Sequence, residues 1–452
     1  MRKDVLILLI VLLVASLAAA SESQLTIYND NFSLIRSKLT LNLKSGLQDY
    51  LYEDIPNTID PKSVILSSKN NALQIFSQNY EFDLANADQI MQKYIGEKII
   101  IQTEKDYTLK GILQFSQAST LGILEEGTDK LILINRSTIR NITLAELPDN
   151  FYLRPTLRWR LQAPAKGKYQ ADVSYLCNGL SWDVDYNCVW NPDNNSLLLN
   201  AWVTIKNYTG KSFNDVKLKL IAGDVNRVND YLFRGGRNQE VAYSIDGMSA
   251  KKSPEFNEKA FHDFHLYTLD QSVSIANKQI KQIQLFPSKK VTAKQNYAYR
   301  TFATKIESQI IFMNDEKSGL NIPIPAGRIK IYQKDQSDKS LEFIGEDKVN
   351  HTATDEQIVV TTGNAFDLIG KTVVLDTKKI DHSTYQKKLK VTISNRSKEA
   401  KEINITHYLS GEWEVYENNF KYKKVDAHQI KITKEIAAGG KAEIVWTERI
   451  KN

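Results

Sequence analysis

The chain has 452 residues, of which 42% are apolar and 25% charged, with ten prolines and twenty glycines; this is the composition of a folded protein, too poor in proline and glycine for a disordered or collagen-like one. At this length more than one hydrophobic core is expected, because domains run to about 100–200 residues. Its 59 basic and 53 acidic residues leave a formal charge of +6 spread along the sequence, a solvated surface rather than the basic stripe of a nucleic-acid reader, so no nucleic-acid partner is expected.

The first twenty residues differ in kind. Met1-Arg2-Lys3 is a short basic start, Leu6 to Leu17 is an apolar run broken only by Ser16, and Ala18-Ala19-Ala20 precedes Ser21. This pattern reads as a secretory signal peptide over 1–20, cut after Ala20; a retained anchor would need about 20 apolar residues to cross a bilayer. The mature chain is therefore expected to be periplasmic or otherwise extracytoplasmic, with no transmembrane segment. In such an oxidising compartment Cys177 and Cys188 invite a disulfide. If Asn178 to Ser181 is a hairpin loop, Cys177 faces Trp182 and Cys188 lies on the order of 20 Å further along the returning strand. A bridge tolerates Cα atoms only about 7 Å apart. That register favours two buried free thiols, while a bulge or another register leaves the bridge open.

From Leu25 the sequence falls into short alternating runs, such as Leu39 to Leu43 and Ser63 to Leu66, divided by Ser45-Gly46 and Asp60-Pro61. These read as strands. Phe76 to Leu84 continues the pattern, and Asn86 to Ile95 reads as a short helix. Residues 91–146 then look like a separate unit of five short strands (98–103, 107–115, 121–124, 130–135 and 139–143), with Gly111 where the long second strand must bend. This resembles a small SH3-like or Sm-like barrel inserted near the N-terminus.

Residues 168–226 carry the clearest signal. Tyr169, Ala171, Val173, Tyr175 and Cys177 share one face of a strand, and Trp182, Val184, Tyr186, Cys188 and Trp190 share one face of the next, opposite Asp183, Asp185 and Asn187. Alternation over ten residues marks a half-buried antiparallel strand. Leu197 to Ile205 and Val216 to Ala222 repeat it. Residues 226–262 lose the period and read as a mobile loop or linker. Strand patterns resume and recur to the end of the chain, spaced by turns about every ten residues, as in a β-sandwich. The expected fold is thus mainly β. Residues 21–90 pair with 147–225 in a first antiparallel β-sandwich, 91–146 form the small barrel, and 263–452 form a C-terminal sandwich.

Three groups of residues resemble the bacterial secreted proteins that carry the domain of unknown function 4139: Gly179-Leu180-Ser181-Trp182 with Asp185-Tyr186; Ala201-Trp202-Val203-Thr204 through Leu220 to Asn226; and Pro325-Ala326-Gly327 through Gly345-Glu346-Asp347, His351-Thr352 and Phe366-Asp367-Leu368. The resemblance covers most of the chain after Ser23. It implies a mostly β, exported protein and carries no activity, cofactor or site residue.

No nucleophile elbow, H-E-x-x-H, phosphate loop or dinucleotide fingerprint occurs, and Ser181 in G-L-S-W lacks the elbow's second glycine. Two weaker constellations remain. His262 and His265 flank Asp263 as potential metal ligands, but in a strand the two imidazoles point to opposite faces. Asp347 and His351, four residues apart, are the best candidates for acid–base work, set against a plain reading as turn residues. His407, on the apolar face of Ile403, Ile405 and Leu409, reads as a satisfied core or edge histidine, and Asp183 with Asp185 as solvent-side carboxylates rather than a glycosidase pair. No cofactor is expected. The sequence therefore favours a non-enzymatic envelope protein that binds or scaffolds an envelope protein or glycan, through exposed sheet edges among other surfaces. An envelope hydrolase acting on glycan or peptide is the alternative.

Overall fold

The computed structural model describes residues 23–82, 87–104, 107–128, 130–144, 152, 154–223, 225–227 and 255–451. The expected signal peptide, 1–20, lies outside them, as does 228–254, most of the stretch read as a loop. In chain order the strands are β1 (Ser23–Tyr28), β2 (Phe32–Leu43), β3 (Gly46–Tyr52), β4 (Ile65–Ser68) and β5 (Gln74–Glu81). The helix α1 (Ala87–Lys93) follows, then β6 (Lys98–Thr103), β7 (Thr108–Ser116), β8 (Thr120–Glu125), β9 (Leu131–Asn135) and β10 (Ile139–Leu144). Next come β11 (Thr156–Ala163), β12 (Gly167–Asn178), β13 (Leu180–Asn191), β14 (Ser196–Asn207), β15 (Phe213–Ala222), β16 (Phe256–Phe261), β17 (Phe264–Leu269), β18 (Val273–Ile275), β19 (Gln279–Arg300) and β20 (Glu307–Met313). The rest are β21 (Gly327–Lys334), β22 (Leu341–Val349), β23 (Gln357–Asn364), β24 (Leu368–Lys379), β25 (Thr384–Asn395), β26 (Lys401–Tyr408), β27 (Glu412–Tyr416), β28 (Lys423–Asp426), β29 (Gln429–Ile436) and β30 (Lys441–Lys451). No helix among the described residues is long and apolar enough to cross a membrane.

The chain is mainly β and builds antiparallel sandwiches; among the described residues strands pair in parallel only where β1 meets β15, β13 meets β21 and β19 meets β26. One sheet runs β16-β17-β15-β1-β2-β12-β4, and the largest runs β22-β21-β13-β14-β19-β26-β29-β28. The inward faces of these sheets, joined by the small sheet β3-β11-β5, form a first core that includes Ile27, Trp159, Trp182, Ile329 and Val360. A second core, from Tyr299 to Ile450, lies around β25, β26, β29 and β30. Met91, Tyr94, Ile99 and Leu113 belong to a third, under the five-stranded sheet β10-β6-β7-β8-β9. The strands expected within 91–146 are all present, to within about one residue at each end.

Three expectations need correction. The aromatic faces around Cys177 and Cys188 are buried as expected, but β12 and β13 are not a hairpin. Gly179 takes a left-handed φ of 86°, a conformation that costs glycine nothing, and the chain there leaves one sheet for the other. β12 pairs with β2 and β4, and β13 pairs with β14 and β21. The two cysteines, both buried and free, therefore sit in opposite sheets. Second, 256–261 is not loop but strand β16, paired along its length with β17. Third, residues 263–452 are not one separate C-terminal sandwich, because β17, β21 and β23 contribute Tyr267, Ile331 and Ile358 to the first core, while Tyr299 and Ile306 between them belong to the second. The division falls inside the 22-residue β19: its first half pairs with β14, its second half with β20 and β26.

The same strand order occurs in two copies along the chain. In the first, β1 pairs antiparallel with β2 and parallel with β15, and β2 pairs with β12. In the second, the end of β19 pairs antiparallel with β20 and parallel with β26, and β20 pairs with β23. One constant offset carries Leu180 to Leu368, Asn207 to Asn395 and Phe213 to Lys401, and with it the register Leu180↔Asn207 to Leu368↔Asn395; Phe213 and Lys401 then pair with Ile275 and Ile436, which lie on a shorter spacing. The hairpins β13–β14 and β24–β25 are each made of two 12-residue strands. The chain contains two structural repeats, with β3, β5 to β11 and β21 to β22 outside the recurring order.

Candidate functional site

At the end of β15, where Ala222 pairs with His265 of β17, the first sandwich opens into a cleft of about 300 Å³. Residues two apart in a strand share a face, and His265 and Tyr267 of β17 accordingly both line it, joined by Asp263 from the turn before them. The opposite wall is made by Pro323 to Pro325 and His351 to Ala353. These two segments are locked by reciprocal backbone bonds of 2.9 Å between Ile324 and Thr352.

The cleft is wired into the core behind it. The Tyr186 hydroxyl, fully buried on β13, donates to the Pro325 carbonyl at 2.7 Å, and the Tyr267 hydroxyl donates to the Pro323 carbonyl at 3.2 Å. The Trp182 and Tyr267 rings meet edge to face at 6.3 Å. Gly327 follows these wall residues. A Cβ there would stand 2.2 Å from the Val184 carbonyl oxygen, so only glycine permits β21 to approach β13 and deliver Pro325 and Ala326 to the cleft.

Its two imidazoles have different surroundings. His265 Nδ1 lies 2.7 Å from the Glu258 carboxylate on β16, which orients the ring and places a proton on Nδ1. His351 Nδ1 accepts from the Ala326 N–H at 3.1 Å, which assigns the hydrogen of the neutral ring to Nε2. Burial, and after it the negative charge of Glu258, push the Tyr267 phenol above its ordinary range; it is a neutral donor at any physiological pH. The site thus combines imidazole, carboxylate and phenol groups with the apolar rings of two prolines.

Of the residues singled out by sequence, His265 and His351 come together here, though they were assigned to separate sites. Asp347 does not join His351. Its Oδ1 accepts from the Lys348 N–H and its Oδ2 from the Thr361 N–H, both at 2.8 Å, so it ties β22 to β23; proximity in sequence gave it the wrong partner. His262 does not join His265 either. It occupies the exposed β16–β17 turn with a φ of 57° and pairs with Asp263 at 2.8 Å. Among the described residues no three His, Cys, Asp or Glu side chains are grouped as a metal centre requires. Asp183 pairs with Lys206 at 3.0 Å and Asp185 accepts from Thr204 at 2.7 Å, so both carboxylates are committed to sheet pairing.

His407 is buried as expected, with a partner the sequence did not reveal. Its Nε2 lies 2.7 Å from the buried Glu448 carboxylate, which also accepts from Trp446 at 3.0 Å, and its Nδ1 lies 2.7 Å from the Thr301 hydroxyl. Tyr267, which lines the cleft, and Glu258, which pairs with His265, were also missed. The alternation Asp263, His265, Tyr267 was the available signal.

No protein-family model matches this chain, and no curated protein matches it.

Proposed function

We propose that this is an exported, non-enzymatic β-sandwich protein of the cell envelope, similar to the proteins that carry the domain of unknown function 4139, and that it binds an envelope glycan or peptide in the cleft between β17 and the Pro323–Pro325 wall. The observation that carries the reading is convergence. Ala222 and Gly223, Pro325, and His351 with Thr352 belong to stretches far apart in sequence, each singled out by the family resemblance, and they line one cleft. Pockets of this size with a few convergent polar groups are the usual place for a ligand. Binding is favoured over turnover because the Thr352 hydroxyl donates to the Asn350 carbonyl at 2.8 Å rather than to either imidazole. The composition of residues 1–20 supports export. For residues 91–146, the strand order β10-β6-β7-β8-β9 behind a short helix supports reading them as a small SH3-like barrel that serves as a rigid module.

One observation favours the rival reading, an envelope hydrolase. Glu258 holds His265, which lines the cleft, in a carboxylate–imidazole pair, the arrangement that orients a general base. Co-purification from an envelope fraction separates the two. The binding reading predicts that wild-type protein recovers a glycan or peptide that His265→Ala and His351→Ala fail to recover. Turnover in a hydrolase screen, lost in Glu258→Gln, overturns it in favour of the rival; equal recovery by wild type and both variants removes the cleft from either account.

A further inference from the structure

The cleft between β17 and the Pro323–Pro325 wall has a one-sided chemistry. Its lining holds one carboxylate, Asp263, two imidazoles and no lysine or arginine. A second carboxylate, Glu258, sits opposite Tyr267 on the neighbouring strand β16 and 2.7 Å from the His265 ring nitrogen. A ligand group that carries negative charge is therefore repelled, and one that carries positive charge is attracted.

The hydrogen-bonding groups point the same way. Both hydroxyls of the lining are committed inward: Tyr267 donates to the Pro323 carbonyl at 3.2 Å, and Thr352 donates to the Asn350 carbonyl at 2.8 Å. Acceptors remain. His265 gives its Nδ1 hydrogen to Glu258, so Nε2 of the neutral ring carries a lone pair, and among the described residues no donor meets it. Asp263 Oδ2 pairs with His262 Nδ1 at 2.8 Å, and among the described residues no donor meets its Oδ1. Both side chains can be reached from solvent, Asp263 at 86% exposure and His265 at 41%. The rest of the wall is apolar, with Ala222, Pro323, Ile324, Pro325 and Ala353. Such a wall suits a methylene stem with a charged head, whereas the many hydroxyls of a sugar would find neither lining hydroxyl ready to donate.

We infer that the cleft recognises a primary ammonium at the end of an aliphatic stem, the basic side chain of a diamino acid in an envelope peptide. An ammonium has three N–H donors and no acceptor. It bonds to His265 Nε2 and Asp263 Oδ1, Glu258 adds its negative charge from behind the imidazole, and the stem lies against the two prolines. This rests on the binding reading of the cleft and narrows it from glycan or peptide to peptide.

The test follows histidine nitrogen-15 resonances of the full chain, with end-blocked tripeptides Ala-Lys-Ala, Ala-norleucine-Ala and Ala-Glu-Ala, and with glucosamine, as probes. The lysine peptide is expected to shift His265 and His351 saturably and to bind about tenfold more tightly than either other peptide, with affinity falling as salt rises. Asp263→Asn, at an exposed turn, and Glu258→Gln are each expected to cost the lysine peptide about threefold and to leave the norleucine peptide unaffected. Equal affinity for the three peptides, a preference for the glutamate peptide, or tighter binding of glucosamine than of the lysine peptide overturns the inference and leaves the cleft as a binding site. Shifts at His265 and His351 with envelope fragments but with none of the four probes do the same. Silence of both rings towards fragments and probes alike removes the binding reading as well.

Discussion

Asn207 and Asn395 are equivalent residues in the two repeats, and each holds its sandwich together in the same way. The Asn207 side-chain N–H groups donate to the carbonyls of Lys211, Ile275 and Ala276 at 2.9–3.3 Å, and its Oδ1 accepts from the backbone and hydroxyl of Thr209. Asn395 donates to Glu399, Ile436 and Ala437 at 2.7–3.1 Å and accepts from the backbone and hydroxyl of Ser397. Both amides are buried. Each closes a strand, shapes the turn that follows and ties it to the strand arriving from the other sheet. Leaving a buried group unsatisfied costs about 1–3 kcal/mol, and each amide satisfies several, so Asn207→Ala and Asn395→Ala are each expected to cost about 3 kcal/mol or more. Hydrogen exchange should locate the damage: amides of the first core loosen in Asn207→Ala, and those around Ile403 and Ile432 in Asn395→Ala. A loss under about 1 kcal/mol in either variant contradicts the equivalence.

The buried Glu448 carboxylate depends on His407 and Trp446. Removing one partner of a buried pair is costly because the other stays buried and uncompensated, about 3–5 kcal/mol. His407→Ala should therefore be strongly destabilising in urea titrations. Glu448→Gln, which keeps an acceptor and a similar volume, should cost clearly less. Equal losses in the two variants would show that packing rather than the pair sets the energy.

Burial pushes the Cys177 thiol up to about 12 from 9.0, only partly offset by the hydrogen bond from Ser33, and it raises Cys188 further in the same direction. Burial disfavours the thiolate, so in the native protein neither cysteine should react with a thiol reagent at pH 8, while both should react after unfolding. The linkage has a definite sign. The folded value lies above the unfolded one, so the contribution to stability is complete below about pH 9 and is lost progressively as pH rises towards 12. Unfolding midpoints of Cys177→Ala should show a shallower alkaline decline than wild type over that window.

Gly327→Ala would place a methyl 2.2 Å from the Val184 carbonyl oxygen and 3.0 Å from the Tyr186 ring. Overpacking of this kind costs about 1–3 kcal/mol. Because Ala326, the neighbouring residue, donates to His351, the same change should disturb the cleft. The check is a lowered thermal midpoint together with a shifted His351 ring resonance. A stable variant with an unmoved His351 would show that the wall is not set by the β13–β21 approach.

Much of this was legible in the sequence. The five strands between Lys98 and Leu144 were readable because their loops are short and each carries its own turn residues. The buried faces of β12 and β13 were readable because alternation assigns faces. It does not assign partners: nothing in the period of Tyr175-Leu176-Cys177 says that the chain changes sheets at Gly179. The repeat left little trace beyond Asn207-Tyr208-Thr209 and Asn395-Arg396-Ser397, with Ile275-Ala276 and Ile436-Ala437 as their bonding partners, since the remaining positions keep the alternation but not the residues. In the cleft, His265 was noticed for its neighbour His262, whereas its real partner, Glu258, lay in a stretch read as loop. The contact between Pro325 and Tyr186 joins distant segments, which local pattern cannot reveal.

If the cleft holding His265 and His351 is the proposed binding site, the six histidines report it directly. Nitrogen-15 histidine spectra of the full chain, recorded while titrating solubilised glycan and peptide fragments of the bacterial envelope, report each ring separately. His265 and His351 are expected to shift together and saturably, while the exposed His382 and His428 and the buried His407 stay in place. Saturable shifts confined to those other rings, or no change at His265 and His351 with any fragment that the protein demonstrably retains, would contradict it.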